Sequence, residues 1–125
     1  MTVLIVACLL AGPAMAHDID KQVFLVIEPN EVVASNTRLG RFDRLRLSPR
    51  EKLLEHSASN AVAVVVTNRR FAAYGVLHGG WNIRRAAPDE KVLDLQVADF
   101  SVTLVTNRRI LNYSGRSGAW SETRR

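Results

Sequence analysis

The sequence predicts an all-β fold made of a repeated unit. Three observations lead there: a 39-residue recurrence, strand-period alternation inside the recurring segment, and turn residues at matching places in each copy. Thr67-Asn68-Arg69-Arg70 returns as Thr106-Asn107-Arg108-Arg109. The same offset carries Pro49 to Pro88, Glu51-Lys52 to Glu90-Lys91, Tyr74 to Tyr113, Gly79 to Gly118 and Trp81 to Trp120. Another step of that length places Val23 under Val62, Gly40 under Gly79 and Phe42 under Trp81, so a looser first copy keeps register.

Each element follows from its own residues. In the first copy a hairpin turns at Glu28-Pro29-Asn30-Glu31, where Pro presets φ and Asn tolerates the left-handed region. The second copy turns at the same place with Thr67-Asn68-Arg69-Arg70, between the apolar run Ala61 to Val66, short enough for a strand buried on both faces, and the aromatic stretch Phe71 to Tyr74. Gly75 with Gly79-Gly80, and Gly115 with Gly118, make the next turn, after which Trp81 or Trp120 begins another strand. Pro49 and Pro88 end it, because proline cannot donate to a ladder. Val92 to Val97 alternates, with Leu93, Leu95 and Val97 expected on one face and Asp94 and Gln96 on the other. Three four-stranded antiparallel units are therefore expected, at about residues 17–50, 51–89 and 90–125.

The segment Val64-Val65-Val66-Thr67-Asn68-Arg69-Arg70-Phe71-Ala72-Ala73-Tyr74, with the Gly80-Trp81 that closes it, resembles a β-propeller blade. The nearest pattern is the quinoprotein type, in which a hairpin precedes a glycine and a docking tryptophan; WD repeats are a more distant likeness. The resemblance covers residues 17–125 and implies a fold. The cofactor-binding residues of quinoprotein dehydrogenases have no counterparts here, so no cofactor is expected. Propellers close with about four to eight blades. Three units therefore imply association of copies into a ring, a longer chain, or a β-trefoil, which also uses three units of this size.

Residues 1–16 read as an export signal: an apolar run from Val3 to Ala11, then Gly12-Pro13 and Ala14-Met15-Ala16. The run is shorter than the roughly 20 apolar residues that span a bilayer, so no stable membrane span is expected. A single periplasmic or secreted domain, 17–125, would remain. Cys8 falls inside the signal, which leaves no thiol for a disulfide, a nucleophile or a zinc site. With 47% hydrophobic and 23% charged residues the chain is a folding one, not a disordered one.

Net charge is +5, and every basic residue except Lys21, Lys52 and Lys91 is arginine, whose planar fork takes carboxylates and phosphates bidentately. An anionic partner is expected: a glycan, a lipid head group or an acidic protein. Nucleic acid is not, since no stacking aromatics interleave with the arginines. Arg69, Arg70, Arg108 and Arg109 share one hairpin corner in successive units and are the candidate ligand-binding residues. Glu51-Lys52 and Glu90-Lys91 read as solvated ion pairs, His56 as a core histidine and His78 as solvated. His17 would become an N-terminal imidazole after cleavage, but no paired carboxylates, serine elbow, phosphate loop or metal-spaced cluster accompanies it, so no catalytic or metal residue is assigned. The expected function is that of an exported, non-catalytic binding module, with a homo-oligomer closing the ring. The alternatives are a cofactor-dependent or hydrolytic propeller enzyme completed by oligomerisation, and a structural envelope protein.

Overall fold

Short β-branched and aromatic runs separated by tight turns become eleven strands in a computed structural model that describes residues 21–125. The export segment, Cys8, His17 and the start of the first unit lie outside those residues. In order the strands are β1 (Val23–Glu28), β2 (Glu31–Asn36), β3 (Arg41–Arg46), β4 (Leu53–Ala58), β5 (Val62–Thr67), β6 (Arg70–Gly75), β7 (Trp81–Arg85), β8 (Val92–Val97), β9 (Ser101–Thr106), β10 (Arg109–Ser114) and β11 (Ala119–Arg124). They form three antiparallel meanders: β1-β2-β3, β4-β5-β6-β7 and β8-β9-β10-β11. The all-β expectation holds. The first sheet has three strands among the described residues where four were expected. A β-trefoil would pair strands of different units in one barrel, and among the described residues every ladder lies within a single unit. No helix among them is long and apolar enough to cross a membrane.

The sheets stack face to face through like strands, β1 on β5, β3 on β7, β5 on β9 and β7 on β11, and β1 also touches β4. The larger core sets Val62, Val64, Val66, Phe71 and Ala73 of the second sheet against Val102, Leu104, Leu111, Tyr113 and Trp120 of the third. Between the first and second sheets, Val23 and Ala34 meet Ala63 and Tyr74, while Val32 and Leu45 meet Val65 and Ala72. Strand β5 is buried along its whole length because it faces a sheet on each side, as its valine-rich apolar run requires. Each fully buried valine or leucine contributes roughly 1.5–3 kcal/mol.

Two local readings change. Strand β8 carries a bulge between Val92 and Asp94, and β4 carries one at the equivalent place between Leu53 and Glu55. The extra residue shifts the alternation, so Val92, Leu95 and Val97 pack on the core while Leu93 and Leu54 are 61% and 63% exposed. His56 is also exposed on β4, the outer strand of its sheet; the second sheet's core is supplied by β5 and β6 instead. His78 is exposed as expected, with a ring nitrogen 2.9 Å from the Arg116 carbonyl.

The glycine turns have one cause. Gly40, Gly79 and Gly118 occupy the same turn in successive sheets with φ of 67°, 71° and 72°, a left-handed conformation in which a Cβ is strained. Their amides donate to the carbonyls of Asn36, Gly75 and Ser114 at 2.9, 2.9 and 2.8 Å, closing the loop before each fourth-position strand.

Candidate functional site

The repeated Thr-Asn-Arg-Arg segment builds a clamp at one end of the sheets. The Thr67 hydroxyl accepts the amides of Arg69 and Arg70 at 3.1 and 3.0 Å, closing the two-residue turn, and donates to Glu51 Oε2 at 2.6 Å. Arg70 then grips the same carboxylate with Nε at 2.7 Å and Nη2 at 3.0 Å, and donates to the Arg46 carbonyl at the end of the first sheet. Asn68 accepts the Lys52 amide at 2.7 Å and returns its own amide to the Lys52 carbonyl at 3.1 Å. The hairpin is thereby fastened to linker 47–52 and to the preceding sheet.

The third unit repeats every contact. Glu90 receives Thr106 at 2.7 Å and Arg109 at 2.8 and 3.0 Å, while Arg109 reaches the Arg85 carbonyl at 2.8 Å. Asn107 accepts the Lys91 amide at 2.9 Å. The glutamate side chains are only 2% and 1% exposed. Burial pushes both carboxyls up, but hydrogen bonds outweigh it and hold their pKa below the ordinary glutamate value. For Glu51 these come from Arg70, Thr67 and the Ser48 amide, and for Glu90 from Arg109, the Ala87 amide and Thr106.

Two of the four expected ligand arginines are therefore structural. Arg70 and Arg109 are committed to buried carboxylates, and Glu51 and Glu90 pair with them rather than with the adjacent lysines. Arg108 forms an exposed bidentate pair with Asp89, its Nε donating to Oδ1 at 2.9 Å and its Nη2 to Oδ2 at 2.7 Å. Arg69 is exposed and has no carboxylate partner among the described residues, and the reason lies in the repeat: the position equivalent to Asp89 is Arg50. A like charge stands where the third unit keeps a counter-ion.

Beside Arg69 a groove of about 770 Å³ runs between the first and second sheets. Arg46, Arg69 and Arg85 line it, with Leu47, Ile83 and Pro88 as its apolar wall. The one carboxylate there, Glu51, is already neutralised by Arg70. A neighbouring groove of about 640 Å³ shares Arg85 and Pro88 but contains Glu122, which takes Arg109 at 3.0 Å. The two linings carry equal formal charge, four arginines against one glutamate in the first and five against two in the second. Arg46 and Arg85 were missed in the sequence, although both sit one strand-end before a repeated proline, at the same offset.

At the other end of the sheets, tryptophans dock each unit on its predecessor. Trp81 Nε1 donates to the Asp43 carbonyl at 3.2 Å, and Trp120 Nε1 to the equivalent Asn82 carbonyl at 3.1 Å. The Tyr74 hydroxyl donates to Asp43 Oδ2 at 2.5 Å and accepts Asn36 Nδ2 at 3.0 Å. Burial and the bond to Asp43 push the Tyr74 pKa up to about 12. Asp43 is pushed up by burial but held below the ordinary aspartate value by its bonds to Tyr74, Arg41 and the Gly80 amide. Neither group exchanges a proton near neutral pH, so this cluster holds structure.

No family model matches the chain, and no curated protein matches it. Among solved structures it is similar to the N-terminal domain of Nup159, with 7% identity and a TM-score of 0.45 over 82% of this chain and 30% of that one. It is also similar to a chain in an S. cerevisiae assembly of Dbp5 bound to Nup159, Gle1, IP6 and ADP, with 9% identity and a TM-score of 0.42 over 84% of this chain. The chain spans 30% and 31% of the lengths of those two chains.

Proposed function

We propose that this chain is an exported, non-catalytic binding module of propeller-like blades that takes an acidic polysaccharide along the groove between its first and second sheets. The observation behind this reading is the asymmetry between Arg50 and Asp89. It leaves Arg69 beside Arg46 and Arg85 without a carboxylate, while their structural neighbours Arg70 and Arg109 are neutralised. Several guanidinium forks along one trench suit carboxylates or sulfates spaced along a chain, and the apolar wall suits the faces of sugar rings. The blade reading is supported by consecutive meanders that stack through equivalent strands.

Chromatography on immobilised polygalacturonate in low salt tests it. The wild type should be retained and released by salt; the triple variant Arg46→Ala/Arg69→Ala/Arg85→Ala should flow through with a nearly unchanged melting temperature. Arg50→Asp, which offers Arg69 the counter-ion that Arg108 already has, should elute at clearly lower salt. Retention of the triple variant at wild-type salt would remove the groove from the binding site.

A further inference from the structure

The stack ends on two faces that no other sheet covers among the described residues. On the first sheet, Phe24, Val26 and Phe42 are 44%, 47% and 68% exposed. They occupy positions by which each later sheet docks on the one before it: Phe42 that of Trp81 and Trp120, Val26 that of Val65 and Leu104. On the outward face of the third sheet, Ile110 is 37% exposed beside Val105, its partner across β9 and β10. These two stand where the second sheet has Phe71 and Val66, which share a core with Leu104.

If the first sheet of a second copy takes the next place in the stack, the 39-residue register fixes what it meets. Val26 falls on Val105 and Ile110. Ser35, at the place of Tyr74 and Tyr113, falls beside Ser114 and Ser121, at the places of Gly75 and Asn82. Phe24 and Phe42 cover Ser101, Thr103 and Asn112, of which the last two already bond each other at 3.1 Å. The charges then match at both ends. Asn60 donates to Asp99 Oδ1 at 3.3 Å across the second and third sheets, and the first sheet has Lys21 at that corner. The Lys21 ammonium lies 5.3 Å from the Phe24 ring centroid, at the edge of the docking face, so Asp99 of one copy meets Lys21 of the next. At the opposite end, Arg70 and Arg109 reach back to the carbonyls of Arg46 and Arg85. The first sheet has Glu31 at that position, where the third presents Arg124 and Arg125. Glu31, which also holds Arg44, faces those arginines. A neutral contact inside the chain becomes an opposite-charge contact between copies at each end.

We propose that two copies join head to tail, the first sheet of each docking on the third sheet of the other, so that six sheets close one ring. Six is the only multiple of three within the about four to eight blades at which propellers close. The interface is heterologous: each copy offers two different faces, and the two junctions are equivalent about a two-fold axis through the centre of the ring. This inference rests on the blade reading and not on the polysaccharide: solution mass reports on the junctions, retention on the groove.

Size exclusion with light scattering on the full chain, over a dilution series, should give twice the 13.9 kDa chain mass. Phe42→Lys and Ile110→Lys should each raise the dissociation constant about thirtyfold or more, because either one spoils both junctions, with unchanged far-ultraviolet circular dichroism spectra. Mixing these two variants, at concentrations where each alone is monomeric, should bring back a two-copy species. The intact first sheet of the Ile110→Lys copy fits the intact third sheet of the Phe42→Lys copy. Lys21→Glu should weaken association about tenfold, and the exchange Lys21→Glu/Asp99→Lys should restore it to within about threefold. A wild-type monomer at every concentration, a mass beyond two copies, a dimer indifferent to Ile110→Lys, a mixture that stays monomeric, or an exchange that fails to restore would each overturn the proposal.

Discussion

Replacing Glu51 by alanine is expected to cost about 2–3 kcal/mol and to lower the melting temperature by roughly 10 °C, whereas Arg69→Ala, one turn position away from Arg70, should cost under about 0.5 kcal/mol. The difference follows from what each side chain holds. Glu51 is 2% exposed and gathers the Thr67 hydroxyl, the Ser48 amide and two donors of Arg70. Without it a three-quarters buried guanidinium loses its carboxylate, the Thr67 hydroxyl keeps only the Arg70 carbonyl at 3.3 Å, and the hairpin loses its main tie to linker 47–52. Arg70 keeps only the Arg46 carbonyl. A double-mutant cycle over Glu51→Ala and Arg70→Ala should give a coupling of about 2 kcal/mol, and simple additivity would dissolve the clamp.

The same contact sets the acid limit of the fold. The folded pKa of Glu51 lies below its unfolded value of about 4.5, so its contribution is complete above that pH and disappears as the pH falls through the folded value. Glu90 behaves alike. Wild-type stability should therefore fall steeply on acidification below about pH 4.5, and Glu51→Ala should flatten that dependence. Equal slopes in chemical denaturation series across the acid range would mean that the carboxylate is not held ionised by its partners.

Much of the fold is legible along the chain because strands and turns leave local marks. The valine run of β5 records burial on two sides, and Gly40, Gly79 and Gly118 record one left-handed turn. What escaped was what local pattern cannot express. A bulge adds one residue to a strand without changing its composition, so alternation alone placed Leu93 inside when Val92 goes there. The turn arginines looked alike in sequence, yet Arg70 and Arg109 bind glutamates 19 positions earlier while Arg69 and Arg108 project outward. A signal did exist: the Glu51–Arg70 spacing recurs as Glu90–Arg109, and a repeated acid–base interval marks a contact better than an adjacent Glu-Lys does. The groove charge was hidden differently, since Arg50 and Asp89 differ at one equivalent position and only the folded contact between Arg108 and Asp89 shows that the exchange frees Arg69.

Tyr74→Phe and Tyr113→Phe remove the same atom from equivalent positions and should act in opposite directions. The Tyr74 hydroxyl bridges Asp43 and Asn36, so its loss should cost about 2 kcal/mol. The Tyr113 hydroxyl is buried with no hydrogen-bond partner among the described residues. Burial raises its pKa; the Asn82 side chain offsets part of that effect without coming into hydrogen-bonding geometry, so the geometry decides that the group is unpaired. The cause is again the repeat: Gly75 stands where the first sheet has Asn36, and Asn82 where it has Asp43. Deleting an unpaired buried hydroxyl should be neutral or stabilising by up to about 1 kcal/mol. Gly75 adds a second handle, because a Cβ built there would lie 2.8 Å from the Tyr113 hydroxyl. Gly75→Ala should accordingly destabilise the wild type by more than it does the Tyr113→Phe background, a non-additivity readable from thermal melts of the four proteins. If Tyr113→Phe costs as much as Tyr74→Phe, the Tyr113 hydroxyl has a partner after all, and the two interfaces between sheets are more alike than their contacts indicate.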